Sequence, residues 1–268
     1  MELADRVAIV TGAASGIGRA LALRFADEGA RGVGVVDINE DGAQAVADQI
    51  GERALALGCD VSDEGEVESM IERTLEAFGP VNVFCANAGV AHGTGLDTPD
   101  NIWDLTFDVN VRAHYLAARH LVPRWLEEGE GYFVSTASAA GLLTQIGDAP
   151  YAVTKHAAVA FAEWLSVTYG NRGIHVSCLC PMGVNTAMMQ AGLEIADSAG
   201  LGARVVAAAG RVIEPEEVAD EVVTAIREER FLILPHPEVR EFFRRRGDDH
   251  ERWLTGMRRL QANISGES

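Results

Sequence analysis

At 268 residues, 48% hydrophobic and 23% charged, the chain has ordinary globular composition and material for one or two domains with buried cores. Its formal net charge of -18 opposes binding to nucleic acid or to anionic lipid surfaces. No apolar run is long enough to span a bilayer, and the acidic start Met1-Glu2-Leu3-Ala4-Asp5-Arg6 is unlike a secretion signal.

Short β-rich runs alternate with amphipathic stretches along the whole chain. Strands are expected over 7–11, 32–37, 54–59, 81–86, 132–136, 175–179 and 231–234, and helices over 17–28, 40–50, 64–78, 102–125, 152–169 and 215–228. The strands are almost continuously apolar, as a parallel sheet covered on both faces requires. The alternation predicts a single-domain, Rossmann-like α/β fold: about seven mostly parallel strands, doubly wound, with helices on both faces. No linker, repeat or low-complexity segment divides residues 1–268.

The first strand runs into Thr11-Gly12-Ala13-Ala14-Ser15-Gly16-Ile17-Gly18 and then a helix. Glycines there permit a tight turn and close approach of the backbone to a pyrophosphate, which the free N–H groups of a helix N-terminus would bind. The plain alternative is a glycine turn that packs a helix on a strand. Asp37 ends the second strand, 19 residues after Gly18. A carboxylate there accepts hydrogen bonds from both hydroxyls of an adenosine ribose and repels a 2′-phosphate. Ser15 and Ile38 occupy the places where a cation would favour NADP, and Arg19 and Arg31 are the nearest alternatives by sequence. The expected cofactor is NAD rather than NADP. Asp60, after the third strand, can accept from the adenine amino group or cap the next helix, with Ser62 and Asp63 as rivals for the cap.

Cys59, Cys85, Cys178 and Cys180 lack zinc-site spacing and read as reduced thiols of a cytoplasmic protein, with no metal expected. The chain's single lysine is Lys155; the other 21 basic residues are arginines. It stands four residues after Tyr151, so both side chains share one helix face. A compact ammonium beside a phenol favours the phenolate, and moving a tyrosine from ~10 toward ~7 takes roughly 4 kcal/mol. Residues 181–210, rich in Met, Gly and Ala, interrupt the strand–helix rhythm and are expected to form a substrate loop or lid. The tail over 237–268, with seven arginines and Trp253 between 240 and 260, is expected to be helical and to lie on the surface or at a subunit contact.

With Thr11–Gly18, Asn87-Ala88-Gly89, Ser138 and Tyr151-x3-Lys155 in this order, and Ser138 placed 13 residues before Tyr151, the chain resembles the short-chain dehydrogenase/reductase family. The resemblance implies a catalytic tetrad of Asn110, Ser138, Tyr151 and Lys155. It implies a nicotinamide cofactor held by Gly12, Ser15, Gly16, Ile17, Gly18, Asp37, Asp60, Val61, Asn87, Ala88, Gly89, Tyr151, Lys155, Pro181, Val184 and Thr186. Among these, Asp60 is an adenine contact, and Val184 and Thr186 hold the carboxamide. Asn110 would distort its helix and hold a water linking Lys155 to solvent; without the resemblance it reads as a solvent-facing helix polar residue. One departure stands out: where the family has Pro-Gly, this chain has Pro181-Met182-Gly183.

Alcohol oxidation needs a base near neutral pKa, which Tyr151 would supply, with Ser138 orienting the substrate oxygen. Candidate substrate contacts are His92, Gln145 and Met188, among Val90, Leu142, Ile146 and Met189. This set is largely apolar, with no Lys or Arg cluster near it, and suits an apolar secondary alcohol or ketone. His156 is expected at the surface. Two alternatives stay open: an NADP-dependent ketone reductase, and a catalytically silent NAD-binding protein. The resemblance also implies a homotetramer or dimer formed through the helices over 102–125 and 152–169.

Overall fold

Seven runs rich in Val, Ile, Leu and Ala pair into one parallel sheet, in a computed structural model that describes residues 1–195 and 200–266. Residues 196–199 of the expected lid and 267–268 of the expected tail lie outside the described residues. The strands are β1 (Val7–Thr11), β2 (Gly32–Asp37), β3 (Ala54–Gly58), β4 (Val83–Ala86), β5 (Gly131–Thr136), β6 (Ile174–Leu179) and β7 (Leu232–Ile233), in the spatial order β3-β2-β1-β4-β5-β6-β7. Register follows the apolar pattern, with Ile9 opposite Gly34 on one side and Phe84 on the other.

Helices α1 (Gly16–Asp27) and α2 (Glu40–Ile50) cover one face together with α10 (Pro215–Glu228), which closes that layer late in the chain. The other face carries α3 (Glu64–Phe78), α5 (Ala113–Glu128) and α7 (Ala149–Tyr169). Each central strand therefore buries both faces, and that two-sided burial accounts for the continuous apolar runs. Within the core the Trp125 indole N–H donates to Val81 O at 2.7 Å. Starts of helices follow local chemistry, since Asn39, Asp63 and Asp148 cap α2, α3 and α7 by accepting from backbone N–H groups.

Three expectations change. The stretch over 102–125 is not one helix: α4 (Asp100–Phe107) passes through a π-helical turn, Asp108–Arg112, into α5. The interruption over 181–210 contains α8 (Ala187–Glu194) and α9 (Leu201–Ala209). The tail is two helices, α11 (Pro237–Asp248) and α12 (His250–Ser265), broken where Asp249 turns extended and caps α12. It does not lie idle on the surface: Val239 is fully buried, and Phe242 and Trp253 pack on the main core beside the short helix α6 (Ala139–Leu143). The chain crosses from one side of the sheet to the other between β3 and β4, so a crevice opens at the C-terminal ends of β1 and β4.

Candidate active site

Thr11 organises the floor of that crevice. Its hydroxyl accepts from Asn87 N at 2.9 Å and Ala88 N at 3.1 Å and donates to Cys85 O at 3.2 Å. The Asn87 amide returns a bond to Thr11 O at 2.9 Å. The glycine turn is packed against this knot: a Cβ on Gly12, whose φ is +65°, would lie 2.9 Å from Ala88 Cα, and one on Gly18 would run into Gly12 O. Ser15 caps α1 by backbone position only and its side chain makes no cap bond, so the first-turn N–H groups stay unspent. Asp37 is held beside the turn, accepting from Ala14 N and Asn39 N at 3.0 Å each. One lone pair on each of its oxygens remains open. Ile38 beside it is 77% exposed. Asp60 folds onto Ser62 through the same carboxylate oxygen, while Asp63 takes the cap of α3.

At the other end of the crevice, Asp148 caps α7 by accepting from Tyr151 N at 2.9 Å, and Pro150 follows as an early-turn proline. That cap orients the helix turn bearing Tyr151 and Lys155. Lys155 is buried, donates to Thr136 O at 2.9 Å, and sits 5.6 Å from the Tyr151 ring centroid. The Ser138 hydroxyl accepts from Ala140 N at 3.1 Å, capping α6, and donates to Pro181 O at 3.4 Å, beside the Tyr151 phenol. Burial raises the Tyr151 pKa above its ordinary value; the nearby Ser138 hydroxyl opposes this and Asp148 adds to it. Burial also pushes Lys155 down, to about 8. The expected pull of the ammonium toward phenolate is thus outweighed by desolvation in the protein alone.

Asn110 lies fully buried in the π turn, not facing solvent. Its Oδ1 accepts from Val90 N and its Nδ2 donates to Val90 O, both at 2.9 Å, and Nδ2 also reaches Thr154 Oγ1 at 3.1 Å. Both amide protons are spent, and the one open position is an acceptor on Oδ1, beside Gly89 and across from Lys155 Nζ.

The segment after β6 is fixed by a residue that sequence reasoning missed. His236, buried, accepts at Nδ1 from Met182 N, and its Nε2 faces Gly183 O and Arg211 O, each at 3.1 Å. The two roles define a neutral imidazole with its proton on Nε2. This clamp carries the Pro181-Met182-Gly183 departure, with Val184 bridged to Ile213 and Thr186 capping α8. No local signal links His236 to Met182, 54 positions away.

From Ser138 a cavity of about 840 Å³ runs outward past Gln145, Ile146, Met182, Val205 and Trp253. Gln145 is on its wall as expected; His92 and Met188 are not, and both are exposed elsewhere. His156 is half-buried rather than at the surface, with Nδ1 2.8 Å from Ala152 O and Nε2 3.3 Å from Arg246 of α11, which also donates to Leu142 O. The expected absence of arginine is overturned: Arg244, Arg245 and Arg252 line the cavity because α11 and α12 fold back over it. Their distance in sequence from the catalytic residues hid this.

The profile of the short chain dehydrogenase family matches residues 6–196. The chain is a short-chain dehydrogenase. It is 35% identical over 260 residues to 1-deoxy-11-beta-hydroxypentalenate dehydrogenase of Streptomyces exfoliatus, covering 93% of this chain and 90% of that one. It is 36% identical to 2-(R)-hydroxypropyl-CoM dehydrogenase of Xanthobacter autotrophicus, over 69% of this chain and 77% of the relative. Among solved structures, a short chain dehydrogenase/reductase from Burkholderia phymatum in complex with NAD superposes with a TM-score of 0.85 at 32% identity, covering 94% of this chain and 96% of its own. Short-chain dehydrogenases act on CH–OH groups with a nicotinamide cofactor, and this crevice fits one. The bare turn, the unspent N–H groups of α1 and the gap between Gly16 and Thr186, where a Cβ would meet Thr186 Cγ2 at 3.1 Å, leave a cradle for a pyrophosphate.

Proposed function

We propose that this short-chain dehydrogenase uses NAD and interconverts a mostly apolar secondary alcohol and its ketone. The observation that carries the reading is the placement of Tyr151 between the sole lysine, whose Nζ lies 5.6 Å from its ring centroid, and Ser138, which opens onto a largely apolar cavity. When bound, the nicotinamide supplies the hydride acceptor or donor. Tyr151 Oη takes the hydroxyl proton of the alcohol and returns it in the reverse direction. Ser138 Oγ orients the substrate oxygen and stabilises its changing charge. Lys155 would favour the ionised phenol and help hold a bound cofactor's ribose, while Asn110 fixes Val90 and would offer Oδ1 to a water next to Lys155. Because burial raises Tyr151 in the protein alone, alcohol oxidation should quicken toward alkaline pH.

Preference for NAD is supported by Asp37, whose carboxylate is locked by two backbone donors at the ribose end of the crevice. The two arginines closest in sequence point elsewhere: Arg19 bonds Gln49 and Arg31 bonds Phe78 O. For assembly, we read the exposed side chains Val153, Trp164 and Val167 on α7 as one side of a contact between copies, giving a tetramer or dimer; sedimentation as a monomer at working concentration would refute it. The four free buried thiols are in keeping with a cytoplasmic protein.

The test is reduction of NAD and of NADP with aliphatic, aryl and sterol-like secondary alcohols at mildly alkaline pH, using wild type and Tyr151→Phe. NAD reduction that disappears in the variant while NAD still binds is the expected result. Turnover with NADP alone would overturn the reading of Asp37. Silence toward every alcohol with NAD binding intact would favour a binding protein.

A further inference from the structure

We propose that the substrate carries a carboxylate remote from its carbinol carbon, and that Arg252 binds it; this rests on the dehydrogenase reading of the site. The cavity starts at Ser138 and is apolar along Leu143, Ile146, Val205, Phe242, Met257 and Leu260. Its charged groups all come from residues 241–252, in α11, α12 and the turn between them. In a chain of net charge -18, residues 240–260 hold seven arginines against four acids, and on the cavity wall itself three arginines face three acids.

Most of that charge is already matched. Arg244 bonds Glu241 and Asp248, Arg245 bonds Glu241 through Nε, and Asp249 accepts from Arg252 N as the cap of α12. The Arg252 guanidinium on the cavity wall has no hydrogen bond or ion pair among the described residues. Arg252 is exposed to the cavity mouth and solvent, and its planar fork of N–H groups matches a carboxylate. An unpaired guanidinium at the end of an apolar approach therefore selects an apolar acid.

Binding can be read without turnover. Adamantane-1-carboxylate should stabilise the wild-type protein saturably in thermal denaturation, and adamantane-1-carboxamide should bind about ten-fold more weakly, the loss typical of one charge-assisted hydrogen bond. Arg252→Met, which keeps the aliphatic stem, should bring the acid to the level of the amide, and Arg252→Lys should restore part of the difference. In turnover, Arg252→Met should raise KM for 4-hydroxycyclohexanecarboxylate about ten-fold relative to its methyl ester, with NAD affinity unchanged. Equal binding of acid and amide by the wild type, or acid binding that survives in Arg252→Met, would overturn the anchor while leaving the dehydrogenase reading in place. Failure of every alcohol to reduce NAD or NADP would overturn that reading, with the carboxylate result standing separately.

Discussion

Lys155 is an ammonium held in the interior with one hydrogen-bond partner, Thr136 O, and burial lowers its pKa from 10.5 to about 8. A lysine whose folded pKa is depressed costs stability wherever both states are protonated, and the cost fades as pH rises between the two values. The shift corresponds to roughly 3 kcal/mol, less about 1 kcal/mol for the lost hydrogen bond. Lys155→Met should therefore gain ~2 kcal/mol of unfolding free energy near neutrality without cofactor. The gain should shrink from pH 8 to 10.5. Denaturant titration across that range checks it, and oxidation of alcohol should be lost in the same variant. A stabilising substitution that removes activity would mark the lysine as kept for chemistry, which is what its solitary occurrence among 21 arginines suggests.

Helices here are placed by side chains at their ends and interruptions. Asp148 caps α7 and also accepts from Gly93 N at 3.2 Å, so one carboxylate ties the loop after β4 to the turn bearing Tyr151. Asp148→Ala should cost about 1 kcal/mol, the value of a lost cap, and lower kcat more than it changes KM for NAD, measured by steady-state kinetics. His236 performs the matching task after β6. His236→Phe leaves the Met182 N–H and Arg211 O without this partner, while Gly183 O keeps Ile213 N, at roughly 2–4 kcal/mol of stability by thermal melting. It should also raise KM for NAD, since the segment it holds runs into Val184 and Thr186. The cap was open to sequence reading, because Asp-Ala-Pro-Tyr is a helix start. The imidazole clamp and the π turn around Asn110 were not, because their partners are Met182 and Val90, reached only through the fold.

Across the whole molecule, acidity should be felt through a buried imidazole in the core between α5 and β5. His114 bonds Ser135 Oγ at 3.0 Å, and burial, then Lys155, hold its pKa down at about 3. Between pH 6.5 and about 3 the unfolded chain takes up a proton that the fold refuses, so stability falls as pH falls. Over that window His114 accounts for ~5 kcal/mol of acid sensitivity. In His114→Gln the slope of unfolding free energy against pH should flatten there, as denaturant titrations at several pH values would show. The acids are spread over the surface, while the basic excess gathers on α11 and α12 above the cavity. The polarity of the molecule thus follows from how the last two helices pack.

The alternation of apolar runs and amphipathic stretches determined the parallel sheet. Neighbouring motifs determined the chemical end of the site, because a glycine turn, a strand-end acid and an i, i+4 pair are local arrangements whose geometry follows from the backbone. Tertiary structure alone decided the rest. It buried Lys155 and half-buried Tyr151, so that desolvation lowers the ammonium and raises the phenol. It also brought His236 under Met182 and folded an arginine-rich tail over the cavity. Each of these depends on groups far apart in the chain, and neither periodicity nor spacing encodes which distant surfaces exclude water from one another.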